Sequence, residues 1–183
     1  MKKISTLFKK DPNDLGKVIN KINPENEWVI SEEGVKATRK FDGTACAIIN
    51  GELYKRYDVK KGKSVPENAI PCQEPDEVTG HWPHWIKCDR NDNSNKYHFE
   101  AFDIYSIPPK DGTFELCGPK IQGNPEKLSY HILIRHGYEE LPIITNFNLL
   151  NSYLSSHDIE GIVYHGFNGK MCKIRKSDFG IKR

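Results

Sequence analysis

A lysine, an aspartate and a glycine stand close together in the segment 40–43 (KFDG), which ends a β-like run. Taken alone, this pattern is also typical of an ordinary strand-to-turn junction. Its chemical interest is an amine and a carboxylate beside a glycine that lets the backbone approach a ligand. A lysine amine has an ordinary pKa of ~10.4, so forming its neutral, nucleophilic form at pH 7 costs about 4.6 kcal/mol. Burial, neighbouring cations or a metal ion can offset that cost.

Three further segments place charged groups at the edges of apolar strands: 113–125 (TFELCGPKIQGNP), 160–164 (EGIVY) and 173–179 (KIRKSDF). Taken alone, the segment 160–164 is compatible with a glutamate before a buried strand, and 173–179 with a solvated basic strand. Together they supply what a lysine nucleophile needs. Glu160 offers a carboxylate for a divalent cation. Lys173, Arg175 and Lys176 add positive charge, which favours a neutral amine at Lys40 and stabilises a triphosphate during displacement.

In this order the segments resemble the motifs of the covalent nucleotidyltransferases, which are the ATP-dependent RNA and DNA ligases and the mRNA capping enzymes. Residues 40–43 resemble motif I, Arg56 the arginine of motif Ia, residues 114–115 motif III, residues 160–161 motif IV, and residues 173–175 motif V. The stretches KATRKFDGT, TFELCG, GNP and EGIV together most resemble the ATP-dependent RNA ligase 1 family, the 5′-to-3′ RNA ligases. The matches cover residues 35–180.

The resemblance implies an ATP-dependent RNA ligase, of use in RNA repair, that works in three steps. Lys40 attacks the α-phosphate of ATP, forming lysyl-AMP and releasing pyrophosphate. The AMP passes to an RNA 5′-phosphate, and a 3′-OH then attacks the activated end and expels AMP. The implied cofactors are ATP, as a substrate whose AMP is bound covalently, and Mg²⁺ or Mn²⁺.

The resemblance also assigns roles to individual residues by their position in the motifs. Glu160 is expected to hold the metal ion. The nucleotide-binding candidates are Thr38, Asp42, Gly43, Arg56, Glu115, His131, Lys173 and Arg175. Among them, Arg56 and Glu115 are expected on the ribose side, and Lys173 and Arg175 on the phosphates.

Two positions leave the recognition of the base open. His131 is the candidate for stacking on adenine, and the alternative is a strand-edge histidine held by hydrogen bonds. Many ligases place a glutamate one or two residues before the lysine to read the adenine amino group, whereas Arg39 and Thr38 occupy those positions here. Motif V reads Lys-x-Arg rather than Lys-x-Lys, which keeps the charge and adds a fork suited to phosphate.

Other functions share parts of this motif set. A GTP-dependent mRNA capping guanylyltransferase or a DNA ligase generally carries an OB-fold domain after motif V, and eight residues follow Arg175 here, so we expect no OB-fold appendage. A catalytically silent module that binds RNA ends is the alternative from a different class. The combination of Lys40, Glu115, Glu160 and Lys173 argues against it, because binding alone does not require that set.

The elements that must position these residues are mostly strands. Strands are predicted over 35–58, 97–105, 113–117, 130–135, 161–165 and 170–175, with a hairpin turn at Asn50-Gly51, which supplies the positive φ angles of a type I′ turn. Helices are predicted over 11–22 and 146–156 from their apolar spacing. Residues 60–96 are polar and predict long loops. We therefore expect an α+β, mainly antiparallel-sheet nucleotidyltransferase (ATP-grasp-like adenylation) domain spanning 1–183, with an N-terminal helical appendage over 1–30.

Composition excludes several classes of protein. The 183 residues have a net charge of +2, which argues against a strongly basic protein that coats nucleic acid. No apolar run approaches the ~20 residues of a membrane span, and the N-terminus lacks the apolar region of a secretory signal. The five scattered cysteines indicate a reducing compartment, so an intracellular, cytoplasmic location is expected. We also expect a monomer without membrane contact. Cys72, His81, His84 and Cys88 could ligate zinc, but they lack the tight cysteine pairs of zinc modules.

The expected partner is RNA with 5′-phosphate and 3′-OH ends. The basic residues predicted to contact it are Lys60, Lys61, Lys63 and Lys176. Phosphate contacts supply most sequence-independent affinity for RNA. Trp82 and Trp85 lie in the same polar stretch and would stack on unpaired bases if exposed, or belong to the core if buried.

Overall fold

Strands form most of the regular structure in the computed structural model, which describes residues 4–76 and 80–183. In chain order the strands are β1 (Ser5–Thr6), β2 (Phe8–Asp11), β3 (Asp14–Ile22), β4 (Lys36–Lys40), β5 (Thr44–Ile49), β6 (Glu52–Val59), β7 (Ile70–Pro71), β8 (Trp82–Lys87), β9 (Gly112–Cys117), β10 (Ile132–Arg135), β11 (Glu140–Leu141), β12 (Gly161–His165) and β13 (Met171–Arg175). The α-helices are α1 (Trp28–Ser31), α2 (Lys96–Phe102) and α3 (Phe147–Ser156). Nearly all strand pairs are antiparallel, β1 with β13 being parallel, which confirms the predicted α+β class with mainly antiparallel sheets.

The described part of the chain divides into two compact units, a central unit (within Asp42–His136) and a terminal unit (residues 4–41 with Gly137–Arg183). The terminal unit contains a five-stranded sheet in the order β1-β13-β12-β4-β11 and the separate β2-β3 hairpin. Its core joins one face of the sheet, with Ala37, Ile162 and Ile174, to Leu150 and Leu154 of α3. The Asn146 side chain caps α3 by accepting from the amides of residues 148 and 149. The predicted helix over 146–156 is confirmed.

The central unit contains a six-stranded sheet in the order β10-β9-β5-β6-β8-β7. Alternate residues such as Cys46, Phe114, Leu116 and Leu133 point to one face and pack with Ala101 of α2. The β5-β6 hairpin turns at residues 50 and 51, whose φ angles of 53° and 75° match the expectation for Asn-Gly. The predicted strands over 35–58, 113–117, 130–135, 161–165 and 170–175 are confirmed to within two residues or contain only short turns.

The helix predicted over 11–22 is wrong. In the described part of the predicted 1–30 helical appendage, residues 4–30, only a 3₁₀ turn over Pro24–Asn26 and the start of α1 are helical. Residues 14–22 form β3, which pairs with β2 through Phe8 opposite Ile22 and Lys10 opposite Val18. The apolar spacing fits a helix, but the β-branched residues favour extended backbone, and Gly16 disfavours a helix. The turn between the strands is fixed by Asp11, whose carboxylate accepts from the Asn13 amide at 2.8 Å.

Two further local predictions are wrong. Residues 96–102 form α2 rather than a strand, because Asp92 caps the preceding turn by accepting from the Ser94 amide, and His98 and Ala101 are buried at helical spacing. The predicted loop region 60–96 contains β8, which pairs along β6 from Tyr54 to Val59. Residues 77–79 of that region lie outside the described residues. Within the described part of the chain, no helix has the length and apolar character needed to cross a membrane.

Candidate active site

Cross-strand register collects the predicted catalytic residues of the terminal unit on one sheet face. Residues that pair across antiparallel strands lie on the same face, and Lys40, Gly161 and Arg175 form one such row. The next row on that face is Thr38, Val163 and Lys173. Between these two rows, Ile162 and Ile174 point to the opposite face and belong to the core. The sheet therefore brings four of the predicted residues together.

Lys40 and Glu160 form an ion pair at this face. The Lys40 Nζ donates to Glu160 Oε2, and both side chains are mostly buried. The backbone next to the carboxylate is also held, because the Lys176 amide donates to the Glu160 carbonyl at 2.9 Å. The lysine predicted as the nucleophile and the carboxylate predicted as the metal ligand are therefore in direct contact.

Close packing between two strands explains why a glycine follows Glu160. A Cβ at Gly161 would lie 2.2 Å from the Ile174 carbonyl oxygen and 2.8 Å from the Arg175 Cα. Only glycine permits this approach between β12 and β13. Gly161 thus allows β12 to approach β13 closely, and this approach holds the Glu160 carboxylate near the row of Lys40 and Arg175.

Positive charge is concentrated on this face. Burial, together with repulsion from Arg175 and Lys40, lowers the pKa of Lys173 from its ordinary 10.5 to about 8, although Glu160 and Asp178 act in the opposite direction. A buried lysine among cations favours an anionic partner, because binding of a phosphate relieves both the desolvation and the repulsion.

Asp178 holds Arg175 in place, a contact that sequence reasoning missed although the quoted segment 173–179 includes it. This carboxylate is fully buried and accepts from the Arg175 amide at 2.9 Å, from its Nη2 at 3.0 Å and from Lys10 Nζ at 2.7 Å. Burial acts to raise the pKa of Asp178, but the hydrogen bonds from Arg175 and Lys10 outweigh it, so its pKa is lowered. The side-chain hydrogen bond from Arg175 to Asp178 raises the pKa of Arg175.

Strand alternation separates the two residues that precede the nucleophile. Thr38 shares the face of Lys40, and its hydroxyl lies 2.8 Å from His165 Nε2. Arg39 points to the other face, where its Nη1 contacts Glu139 Oε2 at 3.3 Å and its guanidinium lies over the Phe41 ring. Of these two positions, only Thr38 is on the candidate catalytic face.

In the central unit, Asp42 and Gly43 are fixed by their backbone. The Asp42 amide donates to Glu126 Oε1 at 3.0 Å. A Cβ at Gly43 would lie 2.2 Å from the Leu116 carbonyl oxygen and 3.0 Å from Glu115 Cγ. The glycine of the KFDG segment is therefore required for close packing against β9, and Glu126 is a contact that the sequence did not reveal.

Glu115 and Arg56 lie on the sheet face opposite the core of the central unit. Glu115 pairs with Ala45, while its neighbours Phe114 and Leu116 point into the core. Arg56 pairs with Trp85 on the same face, and its Nε donates to Asp58 at 3.1 Å. Glu115 is buried and contacts the ring of His136, which sequence reasoning also missed.

His131 is buried, and both its ring nitrogens have partners. Its Nδ1 lies 2.8 Å from Glu100 Oε2, and its Nε2 accepts from the Lys120 amide at 3.3 Å. The Tyr97 ring stacks on it at a centroid distance of 4.6 Å. These contacts are those expected from the alternative interpretation, a histidine held by hydrogen bonds. The stacking of His131 on adenine stays a prediction.

The residues predicted to contact RNA differ in exposure. Lys60, Lys61 and Lys63 are exposed and have no ion pair within residues 4–76 and 80–183. Lys176 is only 7% exposed. Trp85 is buried, and the Trp82 indole donates to the Gln73 carbonyl at 2.6 Å, so these tryptophans belong to the structure of the central unit.

Among the described residues, no three His, Cys, Asp or Glu side chains are grouped as in a protein-only metal site. Cys72, His81, His84 and Cys88, which the sequence analysis considered as zinc ligands, are not among such groups. None of the five cysteines forms a disulfide bond. Glu160 stands as a single hard carboxylate ligand beside Lys40. Such a donor set suits Mg²⁺, which is often held by one or two carboxylates together with water and substrate phosphates.

Comparison with known proteins agrees with the motifs. No protein-family model matches the chain. The chain is 26% identical to "RNA ligase 1" of Rattus norvegicus over 79% of its residues, 29% identical to that of Pongo abelii over 65%, and 28% identical to that of Danio rerio over 63%. These matches span 67%, 49% and 45% of the relatives' own lengths. The predicted resemblance to the RNA ligase 1 proteins is confirmed: the chain is close to them in sequence.

Proposed function

We propose that the protein is an ATP-dependent RNA ligase that joins RNA 5′-phosphate and 3′-OH ends. The observation that carries the proposal is the contact of Lys40 with Glu160 on a face that also presents Lys173 and Arg175, in a chain similar to RNA ligase 1. We also propose that residues 1–183 form one nucleotidyltransferase domain. Neither the capping enzyme nor the DNA ligase finds support in the names of the matching relatives.

In the first step, the neutral Lys40 Nζ attacks the α-phosphorus of ATP. A P–N bond forms and the nitrogen loses a proton to water, while the bond from the α-phosphorus to the bridging oxygen breaks and pyrophosphate leaves with the electron pair. The cations Lys173 and Arg175 stabilise the charge that develops on the phosphates. Arg175 is pre-oriented for this role by Asp178.

The second and third steps use the RNA. An oxygen of the RNA 5′-phosphate attacks the phosphorus of lysyl-AMP, the P–N bond breaks, and Lys40 takes up a proton to return to its amine form. The 3′-OH then attacks the 5′-phosphate, loses its proton, and AMP leaves. Arg56 and Glu115 bind the ribose side of the nucleotide, and Lys60, Lys61 and Lys63 bind the RNA backbone. Lys176 is left out of the RNA contacts because it is buried.

Glu160 would hold the divalent cation. When bound, such an ion neutralises charge on the phosphates. In its absence, Glu160 holds the Lys40 ammonium group. A second pair of the same type, Lys36 with Glu140, involves the same strand and has no proposed role.

Glu160→Gln is therefore expected to slow adduct formation severely, by about 100-fold or more, and to shift its Mg²⁺ dependence to higher concentrations. The measurement is the rate of adduct formation across a Mg²⁺ titration. Glu140→Gln is the matched control and should behave as the unsubstituted protein. An unchanged metal titration in Glu160→Gln would place Glu160 in a structural role.

A sealing assay tests the proposed function against its alternatives. The protein is given a nicked duplex, a hairpin and single-stranded RNAs, each with a 5′-phosphate and 3′-OH, together with Mg²⁺ and ATP or GTP. ATP-dependent sealing of at least one RNA, lost when the 5′ end is a hydroxyl, is the expected result. Labelling with GTP only would indicate a capping enzyme, and the absence of any covalent label would indicate a module that binds RNA ends.

A further inference from the structure

His136 contacts two residues of β9, Thr113 and the predicted ribose ligand Glu115. It follows β10 and pairs with Thr113, its amide donating to the Thr113 carbonyl at 3.1 Å. Its Nδ1 lies 2.9 Å from the Thr113 hydroxyl, and its Nε2 lies 2.9 Å from Glu115 Oε2. Both ring nitrogens of one histidine are therefore engaged, one of them on the carboxylate.

The chemistry of the partners fixes the proton on the ring. A carboxylate only accepts hydrogen bonds, so His136 Nε2 carries a hydrogen and donates to Glu115. A neutral imidazole then has Nδ1 as an acceptor, which the Thr113 hydroxyl satisfies by donating. Because a hydroxyl can also accept, the arrangement holds in the protonated ring as well. The Thr113 hydroxyl is thus compatible with the Nε2–H that Glu115 requires.

Packing also restrains the stem of the Glu115 side chain. Its stem packs against Gly43, where an added Cβ would lie 3.0 Å from Glu115 Cγ. The Glu115 side chain is only 11% exposed, so its orientation is constrained. Within residues 4–76 and 80–183, nothing hydrogen-bonds the other carboxylate oxygen, Oε1. One oxygen is held by the imidazole, and the other is available to accept from a hydroxyl group.

We infer that His136 is a positioning residue that orients Glu115 toward a ribose hydroxyl of the nucleotide. The inference rests on the proposed function, because it requires ATP as the ligand. It predicts that the N–H of residue 136 matters through Glu115 alone. Loss of that donor leaves a buried carboxylate free to rotate, and weakens its bond to the ribose.

Two amide substitutions separate this role from a structural one. In His136→Gln the side-chain nitrogen reaches about as far as Nε2 and can still donate to Glu115. In His136→Asn the amide reaches only about as far as Nδ1 and can contact Thr113 but not Glu115. The two variants are similar in polarity, so they differ mainly in the hydrogen bond under test. Thermal unfolding of each variant shows whether the fold is retained.

The readout is lysyl-AMP formation over a range of ATP, 2′-deoxy-ATP and 3′-deoxy-ATP concentrations. With ATP, His136→Asn is expected to need roughly 10-fold more nucleotide for its half-maximal rate, and His136→Gln less than about 3-fold more. The defect of His136→Asn should vanish with the deoxynucleotide that lacks the hydroxyl bound by Glu115, because that hydroxyl is the group the positioning serves.

Each outcome decides the matter. Equal defects in the Asn and Gln variants, or a defect of the same size with all three nucleotides, would overturn the positioning role while leaving the ligase proposal intact. An unsubstituted protein that forms no adduct with ATP would overturn the ligase proposal itself, and the inference with it.

Discussion

At the scale of single residues, Lys173 is the most sensitive reporter of charge on the catalytic face. Burial and the cations Arg175 and Lys40 lower its pKa to about 8, against the opposing effect of Glu160 and Asp178. In the free protein Lys173 is therefore mostly charged at pH 7 and mostly neutral at pH 9. A phosphate ligand favours the charged form, so nucleotide binding and protonation of Lys173 are linked.

From this linkage, the affinity for ATP should be constant below pH ~8 and begin to fall as pH rises above it, by up to about 10-fold. The measurement is ATP binding between pH 7 and 9.5 in a Lys40→Arg background, which removes the covalent step and keeps the positive charge at position 40. Lys173→Arg in the same background keeps its charge and should give a flat profile. A fall of the same size in both proteins would show that Lys173 does not contact the phosphates.

At the scale of secondary-structure elements, α2 carries a polar group that the fold leaves unsatisfied. His98 is 8% exposed, and neither of its ring nitrogens has a partner among the described residues. Burial, together with the nearby charge of Lys55, lowers the pKa of His98 from 6.5 to about 4. Between these two pH values, the unfolded chain binds a proton at His98 that the folded chain does not. The contribution of His98 to stability therefore decreases as pH falls through this range.

His98→Leu should therefore raise the free energy of unfolding by about 1–3 kcal/mol at pH 7, since it removes two unpaired buried nitrogens at similar volume. It should also reduce the loss of stability between pH 6.5 and 4. Urea unfolding at several pH values measures both effects, and His157→Leu at an exposed position is the control. A lower stability of His98→Leu at pH 7 would mean that His98 has a partner in solution.

Elements were predictable where one local signal dominates. Asn50-Gly51 fixes its hairpin by backbone preference, and the capping Asn146 marks the start of α3. Residues 14–22 and 96–102 were predicted wrongly because their apolar spacing fits both helix and strand, and pairing with β2 or packing of Ala101 decides between them. Such partners are distant along the chain and leave no local pattern.

The same limit applies to the candidate site. Lys40, Glu160, Lys173 and Arg175 could be chosen because they belong to motifs with fixed internal spacing. Asp178, Glu126 and His136 could not be assigned roles, since each acts through a contact that exists only in the folded chain. The contact of His136 with Glu115, for example, depends on the register of β10 on β9.

At the scale of the whole molecule, a net charge of +2 conceals an uneven distribution of lysines. Exposed lysines such as Lys36, Lys87 and Lys170 each contact a carboxylate. Lys60, Lys61 and Lys63 have no such partner in the described part of the chain. Unpaired exposed cations in one loop suit a polyanion such as RNA.

Replacing these three loop lysines together by glutamine should leave lysyl-AMP formation nearly unchanged but weaken sealing. The slope of log Kd against log salt for single-stranded RNA should decrease by about 2, since three phosphate contacts are lost. The control is the triple glutamine variant of Lys36, Lys87 and Lys170, which removes the same charge from paired positions. Equal slopes in the two triple variants would show that the loop does not hold RNA.

The most direct test of the account is the site of covalent attachment. The protein is incubated with ATP labelled at the α-phosphate and with Mg²⁺, resolved on a denaturing gel, and the labelled peptide is identified by mass spectrometry. AMP should be found on Lys40, be absent from Lys40→Ala, and persist in Lys36→Ala, which alters the same strand and face. An adduct that survives in Lys40→Ala, or that maps to another residue such as Lys173, would contradict the assignment of Lys40 as the nucleophile.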